Sequence, residues 1–224
     1  MAGSRLLLIC LLSGITAADI SCVQCVGEKT CQGTEKKCPS NAESCISVLE
    51  ETRIGAKLTS SVFMRLCGNC SDYKMGAIRF GKGILRINKT CCKENNCTPP
   101  EPTIPPFKPP PKDVKVKDNG VMCKSCFALS AKNCDCNNVF VNCTREETKC
   151  IARSMSASGG YNHGVALRGC TTKEMCDTFN KDLKVNTTNL KFIISCTDES
   201  DSVHKVLLPL VLAAAMFSKL TTAT

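Results

Sequence analysis

Alternation of apolar and polar positions marks two hairpins in the first half of the chain. Ile46-Ser47-Val48-Leu49-Glu50-Glu51-Thr52 and Ser61-Val62-Phe63-Met64-Arg65-Leu66 are rich in β-branched side chains and flank a turn near Gly55. Partial period-two alternation turns one face of a strand to the core and the other to water, so the pair predicts a hairpin with one face on the domain centre. Ala77-Ile78-Arg79-Phe80 and Ile84-Leu85-Arg86-Ile87, joined by Gly81-Lys82-Gly83, predict a second hairpin. In the second half a central loop turns at Gly159-Gly160, and a third loop lies between Cys176 and Cys196.

Composition says what must hold these hairpins. Of 224 residues 20 are cysteine, none is Trp, two are Tyr and eight are Phe. Two cores of roughly 80 residues with so few aromatics are marginal on apolar burial, so covalent bridges must carry stability. Each bridge in such a domain contributes about 2–5 kcal/mol. Arg5, the apolar run from Leu6 to Leu12 and Thr16-Ala17-Ala18 read as an export signal over residues 1–18. Cys10 leaves with it, and the other 19 of the 20 cysteines enter an oxidising compartment. That favours disulfides over a metal for the Cys-x2-Cys pairs 22/25, 67/70 and 123/126.

Ten cysteines lie between Cys22 and Cys97, with cysteine-free spans at 46–66 and 71–90 and a shorter one at 23–37 broken only by Cys25 and Cys31. They close on Cys91-Cys92-Lys93-Glu94-Asn95-Asn96-Cys97. A cysteine cluster at one end with three projecting loops is the three-finger arrangement. The stretch resembles the lymphocyte-antigen/urokinase-receptor domain family, whose ten-cysteine ladder ends in a doublet, four residues and a final cysteine. Thr98 stands where that family usually has Asn. The ladder then repeats: Cys38-x6-Cys45-Ile46 recurs as Cys143-x6-Cys150-Ile151, and Met64-Arg65-Leu66-Cys67 as Leu167-Arg168-Gly169-Cys170. The second copy ends at Cys196 without doublet or coda, so it has nine cysteines.

A complete first ladder followed by a second that stops on one cysteine resembles the gamma-class phospholipase A2 inhibitors over roughly residues 22–200. The resemblance implies an all-β, disulfide-rich fold of two tandem three-finger, snake-toxin-like domains. The family's pairing order implies Cys22–Cys45, Cys25–Cys31, Cys38–Cys67, Cys70–Cys91 and Cys92–Cys97 in the first domain. In the second it implies Cys123–Cys150, Cys126–Cys134, Cys143–Cys170 and Cys176–Cys196, with Cys136 unpaired. Spacing alone does not fix connectivity, and Cys136 is an alternative to Cys134 as the partner of Cys126. A leftover thiol at Cys136 raises the prospect of a disulfide-linked homo-oligomer.

The remaining segments set boundaries: a signal peptide at 1–18, the first domain at 19–98, a linker at 99–119, the second domain at 120–200 and a tail at 201–224. Residues 99–111 hold eight of the ten prolines, which predicts an extended spacer between separable domains. A ligand for a proline-binding module is the weaker reading, because those readers are mostly cytosolic. The twelve apolar residues 206–217 are too few to span a bilayer, which needs about 20. With Ser200, Asp201 or Ser202 as the acceptor they suit a lipid-anchor signal, although the spacer is short and Lys219 interrupts the end. The alternative is a secreted chain with an apolar terminus.

Charge is +9, falling to +8 once Arg5 is removed, and favours acidic partners only weakly. Residues 73–93, in and just after the third loop, hold Lys74, Arg79, Lys82, Arg86, Lys89 and Lys93 and no acid. They read either as a solvated hairpin edge or as a basic finger for an acidic protein, glycan or lipid surface. The only histidines are His163 and His204; no Ser/His/acid set, His-Glu-x-x-His or phosphate-cradling loop occurs. Neither an enzyme, a cofactor nor a nucleic-acid partner is expected. Asn88-Lys89-Thr90 and Asn186-Thr187-Thr188 are the better glycan acceptors; Asn69, Asn96 and Asn142 have a cysteine in the middle position. The expectation is an extracellular binding protein, either a soluble inhibitor of a secreted phospholipase A2 or a lipid-anchored surface receptor.

Overall fold

The computed structural model describes residues 20–71, 75–108, 116–129, 134, 139–157, 165–182 and 190–198. The expected export signal, Cys136, Asn186, His163, the turn expected at Gly159-Gly160 and the tail with Ser200, Asp201 and Ser202 lie outside them.

The first domain is built from β1 (Ser21–Gly27), β2 (Thr34–Lys37), β3 (Ser44–Ile54), β4 (Lys57–Gly68), β5 (Met75–Phe80) and β6 (Gly83–Cys92). Its three hairpins are β1–β2, β3–β4 and β5–β6. The tight turns sit at Gly55 and Gly81, both with positive φ, where a side chain would be strained. The second domain contributes β7 (Asp118–Lys124), β8 (Cys126–Ala128), β9 (Phe140–Thr144), β10 (Lys149–Ala157), β11 (Val165–Thr171), α1 (Lys173–Asp182) and β12 (Leu190–Thr197). The fold is thus two tandem three-finger domains, mostly strand.

Nine bridges join Cys22–Cys45, Cys25–Cys31, Cys38–Cys67, Cys70–Cys91, Cys92–Cys97, Cys123–Cys150, Cys126–Cys134, Cys143–Cys170 and Cys176–Cys196. They form a small sulfur-rich core at the base of each domain, around Cys22, Cys38, Cys45 and Cys67 and around Cys123, Cys143, Cys150 and Cys170.

One element has no counterpart among the hairpins expected from the residue pattern. The loop after Cys170 opens with the ten-residue helix α1. Thr172 Oγ1 accepts a hydrogen bond from the Met175 amide at 3.3 Å, which satisfies one of the unpaired donors of the first turn. Met175 and Phe179, four apart, share one face and are buried. Lys173 and Asp177 pair on the exposed side at 2.7 Å.

The proline run predicts two separable units, whereas the structure joins them through one sheet and one core. The larger sheet has ten strands in the order β12-β10-β11-β5-β6-β3-β4-β1-β2, with β8 beside β11. The domains meet where β11 pairs antiparallel with β5, Cys170 opposite Arg79 and Thr171 opposite Ile78. Gly169 makes that approach feasible. A Cβ there would lie 2.0 Å from the Arg79 carbonyl oxygen, whereas the repeat places Leu66 at the corresponding point of the first domain.

The sheet folds back on itself, so that its two inner faces form a single core. Ile46, Val48, Met64, Leu66, Ile78, Phe80, Leu85 and Ile87 belong to the same buried cluster as Ile151, Met155, Leu167, Met175 and Phe179. Each such side chain contributes about 1.5–3 kcal/mol when fully buried, so neither half could expose its share cheaply. Phe80 stacks on Phe127 at 5.1 Å, and Arg79 holds the Glu147 carboxylate through Nε and Nη2 at 3.0 and 2.6 Å. Thr171 Oγ1 donates to the Ala77 carbonyl at 2.8 Å.

Candidate binding surface

With both inner faces consumed by the shared core, only the outer faces and the finger tips can meet a partner. In the first domain the outer face of β3 presents Ser47, Leu49, Glu51 and Arg53. Their neighbours are Arg65, Phe63, Ser61 and Leu58 on β4 and Thr90, Asn88, Arg86 and Ile84 on β6. This face is covered by the chain itself. The proline segment that reads as a spacer runs back across it as a strap from Pro99 to Phe107.

The strap is held by hydrogen bonds to its carbonyls, which suits an extended proline-rich backbone that has few amides to donate. Ser47 Oγ donates to the Pro99 carbonyl at 3.1 Å, and Thr90 Oγ1 donates to that of Pro100. Asn88 Nδ2 donates to the Thr103 carbonyl at 2.6 Å, and Arg86 Nη1 to that of Pro105 at 2.7 Å. Arg65 lies 3.7 Å from the Glu101 carboxylate. Pro99 and Pro102 are buried, as expected of an extended helix with roughly three residues per turn resting one edge on a surface. Phe107 ends the strap beneath the guanidinium groups of Arg53 and Arg86, 5.4 and 5.5 Å from its ring centre.

This arrangement revises the reading of the third-loop cations. Arg79 is spent on Glu147 of the second domain, and Arg86 on Glu51 at 2.7 Å and on the strap. Lys89 is buried with its ammonium 2.6 Å from Ser71 Oγ. Lys82 and Lys93 are exposed, and Lys74 lies outside the described residues. The loop is therefore neither a solvated edge, since β5 is paired on both sides, nor a free basic finger. Of the two glycan acceptors, Asn88 is half-buried with its amide donating to the strap, as does the hydroxyl of Thr90 in the same sequon.

In the second domain the corresponding outer face is exposed along β12 and half-buried along β10 and β11 among the described residues. The strand registers of the two domains match residue for residue. Ser47 faces Arg65 and Thr90 as Ala152 faces Arg168 and Ser195, and Leu49 faces Phe63 and Asn88 as Ser154 faces Ala166 and Ile193. Ile193 is 58 % exposed and Ser195 is exposed. A pocket of about 100 Å³ opens here, lined by Lys124, Ala152, Arg168, Ser195 and Thr197 among others. At the tip of the β3–β4 finger, Ile54 and Leu58 are 46 % and 43 % exposed beside Gly55.

The sulfurs of Cys22, Cys38 and Cys67, and those of Cys123, Cys143 and Cys170, cluster within 4.8 Å. All six are in disulfides, so they offer no thiolate to a metal. No helix among the described residues is long and apolar enough to cross a membrane.

The u-PAR/Ly-6 domain model matches residues 18–100 and again 119–204. Phospholipase A2 inhibitor NAI of Notechis ater is 26 % identical over 183 residues, covering 78 % of this chain and 86 % of the inhibitor. A gamma-type phospholipase A2 inhibitor of Laticauda semifasciata is 26 % identical over 155 residues, or 67 % of this chain and 80 % of that one. Among solved structures, mouse TEX101 aligns over 80 % of this chain and 98 % of its own with a TM-score of 0.36 and 15 % identity. With two matches that together take in most of its length, the chain belongs to the u-PAR/Ly-6 domain family and carries that domain twice.

Proposed function

We propose that this chain is a non-enzymatic extracellular protein-binding module and that its ligand is a secreted phospholipase A2, which it masks. The observation that carries the reading is the breadth of the likeness to the Notechis inhibitor, which runs through both domains and covers 86 % of that protein. Bridged hairpins supply a suitable surface, because a contact face that is rigid before binding loses little ordering entropy on association. The test is hydrolysis of phospholipid vesicles by a panel of secreted phospholipases A2 with and without the mature chain, alongside direct binding by calorimetry. Saturable inhibition of at least one enzyme is expected; binding to none of them overturns the reading.

A second reading, a lipid-anchored surface receptor of the same family, is favoured by the apolar run 206–217 after the small residues Ser200, Asp201 and Ser202. Expression in animal cells followed by a phosphatidylinositol-specific lipase separates the two. Release from the cell surface supports the anchored form, and medium containing protein that retains residues 206–217 supports the soluble one.

A further inference from the structure

A single Asn-Gly step occurs in the sequence, Asn119-Gly120. Both residues are exposed near the start of β7, where the ladder with β9 is interrupted. Asp118 stands opposite Thr144 and Met122 opposite Asn142, so residues 119–121 bulge out against Cys143 alone. Gly120 has a φ of 89°, and a side chain added there would meet nothing within 4 Å, so this side of the backbone is open to water. The Val121 amide donates to Asn119 Oδ1 at 3.1 Å, which curls the side chain into a ring that spans the Gly120 nitrogen and draws electrons from the amide carbon. Asn119 Nδ2 donates to the Arg145 carbonyl at 2.9 Å and to that of Glu147 at 3.2 Å. It thereby pins the turn that presents the Glu147 carboxylate to Arg79 of the first domain.

We propose that Asn119 is a site of spontaneous covalent modification, where water converts the side-chain amide to aspartate and isoaspartate and so loosens the seam between the domains. The Gly120 nitrogen attacks Asn119 Cγ. A bond forms between them, the Cγ–Nδ2 bond breaks, the Gly120 nitrogen gives up its proton and Nδ2 leaves as ammonia, which closes a five-membered succinimide. Water then opens the ring. Addition at Cγ breaks the new bond and leaves aspartate, whereas addition at the backbone carbonyl of Asn119 breaks the original peptide bond and leaves isoaspartate. No oxidant or reductant takes part. Glycine permits the attack because it has no Cβ to crowd the nitrogen. The product cannot hold the turn. A carboxylate has no hydrogen to donate, so the carbonyl oxygens of Arg145 and Glu147 lose their donor and face a negative charge that adjoins Asp118. Isoaspartate also adds a carbon to the backbone within the bulge. The disturbance reaches the first domain because the turn that loosens is the one from which Glu147 holds Arg79.

This chemistry is independent of the phospholipase reading. The experiment is incubation of the mature chain in mildly alkaline buffer made with oxygen-labelled water, followed by peptide mapping and labelling with an isoaspartate methyltransferase. Heavy oxygen and methyl label are expected at Asn119 ahead of every other asparagine. Conversion should be slower than in the reduced, unfolded chain, because the bonds from Nδ2 restrain the folded turn and ring closure waits on its opening. Asn119→Gln, whose longer side chain closes a ring far less readily, should stay unmodified at that position. Hydrogen exchange reads the consequence. The Glu147 and Thr148 amides, which donate to the Thr144 and Glu146 carbonyls, should exchange about tenfold faster in Asn119→Asp and in the converted protein, the scale of one lost hydrogen bond. Conversion confined to the unfolded chain would mean that the fold protects Asn119, and would overturn the site. Earlier conversion at another asparagine would overturn it as well. Exchange at Glu147 and Thr148 that matches the parent in both altered forms would overturn the effect on the seam.

Discussion

Arg153 of β10 reaches across the domain boundary to ion-pair with Glu50 of β3, and both side chains are almost wholly buried, at 0 % and 5 % exposure. The guanidinium also lies 5.4 and 5.5 Å from the ring centres of Phe179 and Phe192. Its Nε and Nη1 have no hydrogen-bond partner among the described residues, so the rings and Glu50 together supply its compensation. The repeat places Val48 where the second domain has Arg153, so this pair is a departure from the symmetry of the two inner faces.

Burial pushes the Glu50 carboxyl above its ordinary value of 4.5, and Arg153 draws it partly back. A carboxyl raised in the folded state contributes stability that is complete below its unfolded pKa and is lost as pH rises through the folded one. Arg153→Met removes the restoring partner and leaves a buried carboxylate alone, at a cost of about 3–5 kcal/mol near neutral pH. The deficit should shrink as pH falls and vanish below 4.5, where Glu50 is protonated in both states. Urea denaturation of parent and variant across pH 4 to 8, values chosen to bracket that ordinary carboxyl pKa, measures it. A deficit independent of pH would contradict the account. The double variant Glu50→Leu/Arg153→Met should recover most of the loss, because it leaves no buried charge.

Gly169 decides whether the domains can join. Gly169→Val places a side chain on the Arg79 carbonyl, and should cost about 3 kcal/mol or more by forcing β11 away from β5. Calorimetry should then show two separate unfolding transitions where the parent shows one. The bridges lie within domains and persist, so non-reducing mass mapping stays unchanged.

Limited proteolysis distinguishes a strap from a spacer. Cleavage within residues 109–117 should leave the halves associated on a non-denaturing column, held by the core they share, and residues 99–107 should resist until later. Arg86→Ala removes the Glu51 pair, the Pro105 contact and the ring contact with Phe107 together. It should expose 99–107 to protease and cost about 1–2 kcal/mol. Clean separation of folded halves from the nicked parent would restore the spacer.

Cysteine parity gives a thiol count. Of the 20 cysteines, Cys10 falls in the segment expected to be removed as an export signal and 18 form the nine bridges, so alkylation of unreduced protein that lacks residues 1–18 should add one label, at Cys136. A label at Cys134 with Cys136 bridged to Cys126 would exchange their roles. A disulfide-linked dimer absent from Cys136→Ser would assign the thiol to an intermolecular bond.

Some of this was legible in the order of residues because it depends only on neighbours. Alternation around Gly55 and Gly81 specifies hairpins whose faces differ, and β3–β4 and β5–β6 form there. The doubled ladder likewise marks two three-finger domains, because bridge spacing constrains loop length directly. Helix α1 was within reach, since Thr172 and the buried pair Met175 and Phe179 stand at cap and i,i+4 spacings. Reading the segment as one more finger loop hid that signal.

What neighbours in sequence do not encode is which surface an element will meet. Eight prolines make residues 99–111 extended whether they span solvent or lie on a sheet, and the hydroxyls and amides that decide it come from Ser47, Asn88 and Thr90 on two other strands. The third-loop cations look unpaired in sequence because their acids, Glu147 and Glu51, are distant along the chain. The shared core has the same origin. Each domain's pattern says that one face must be buried, and only tertiary structure, through the space left at Gly169, makes the burying surface the other domain.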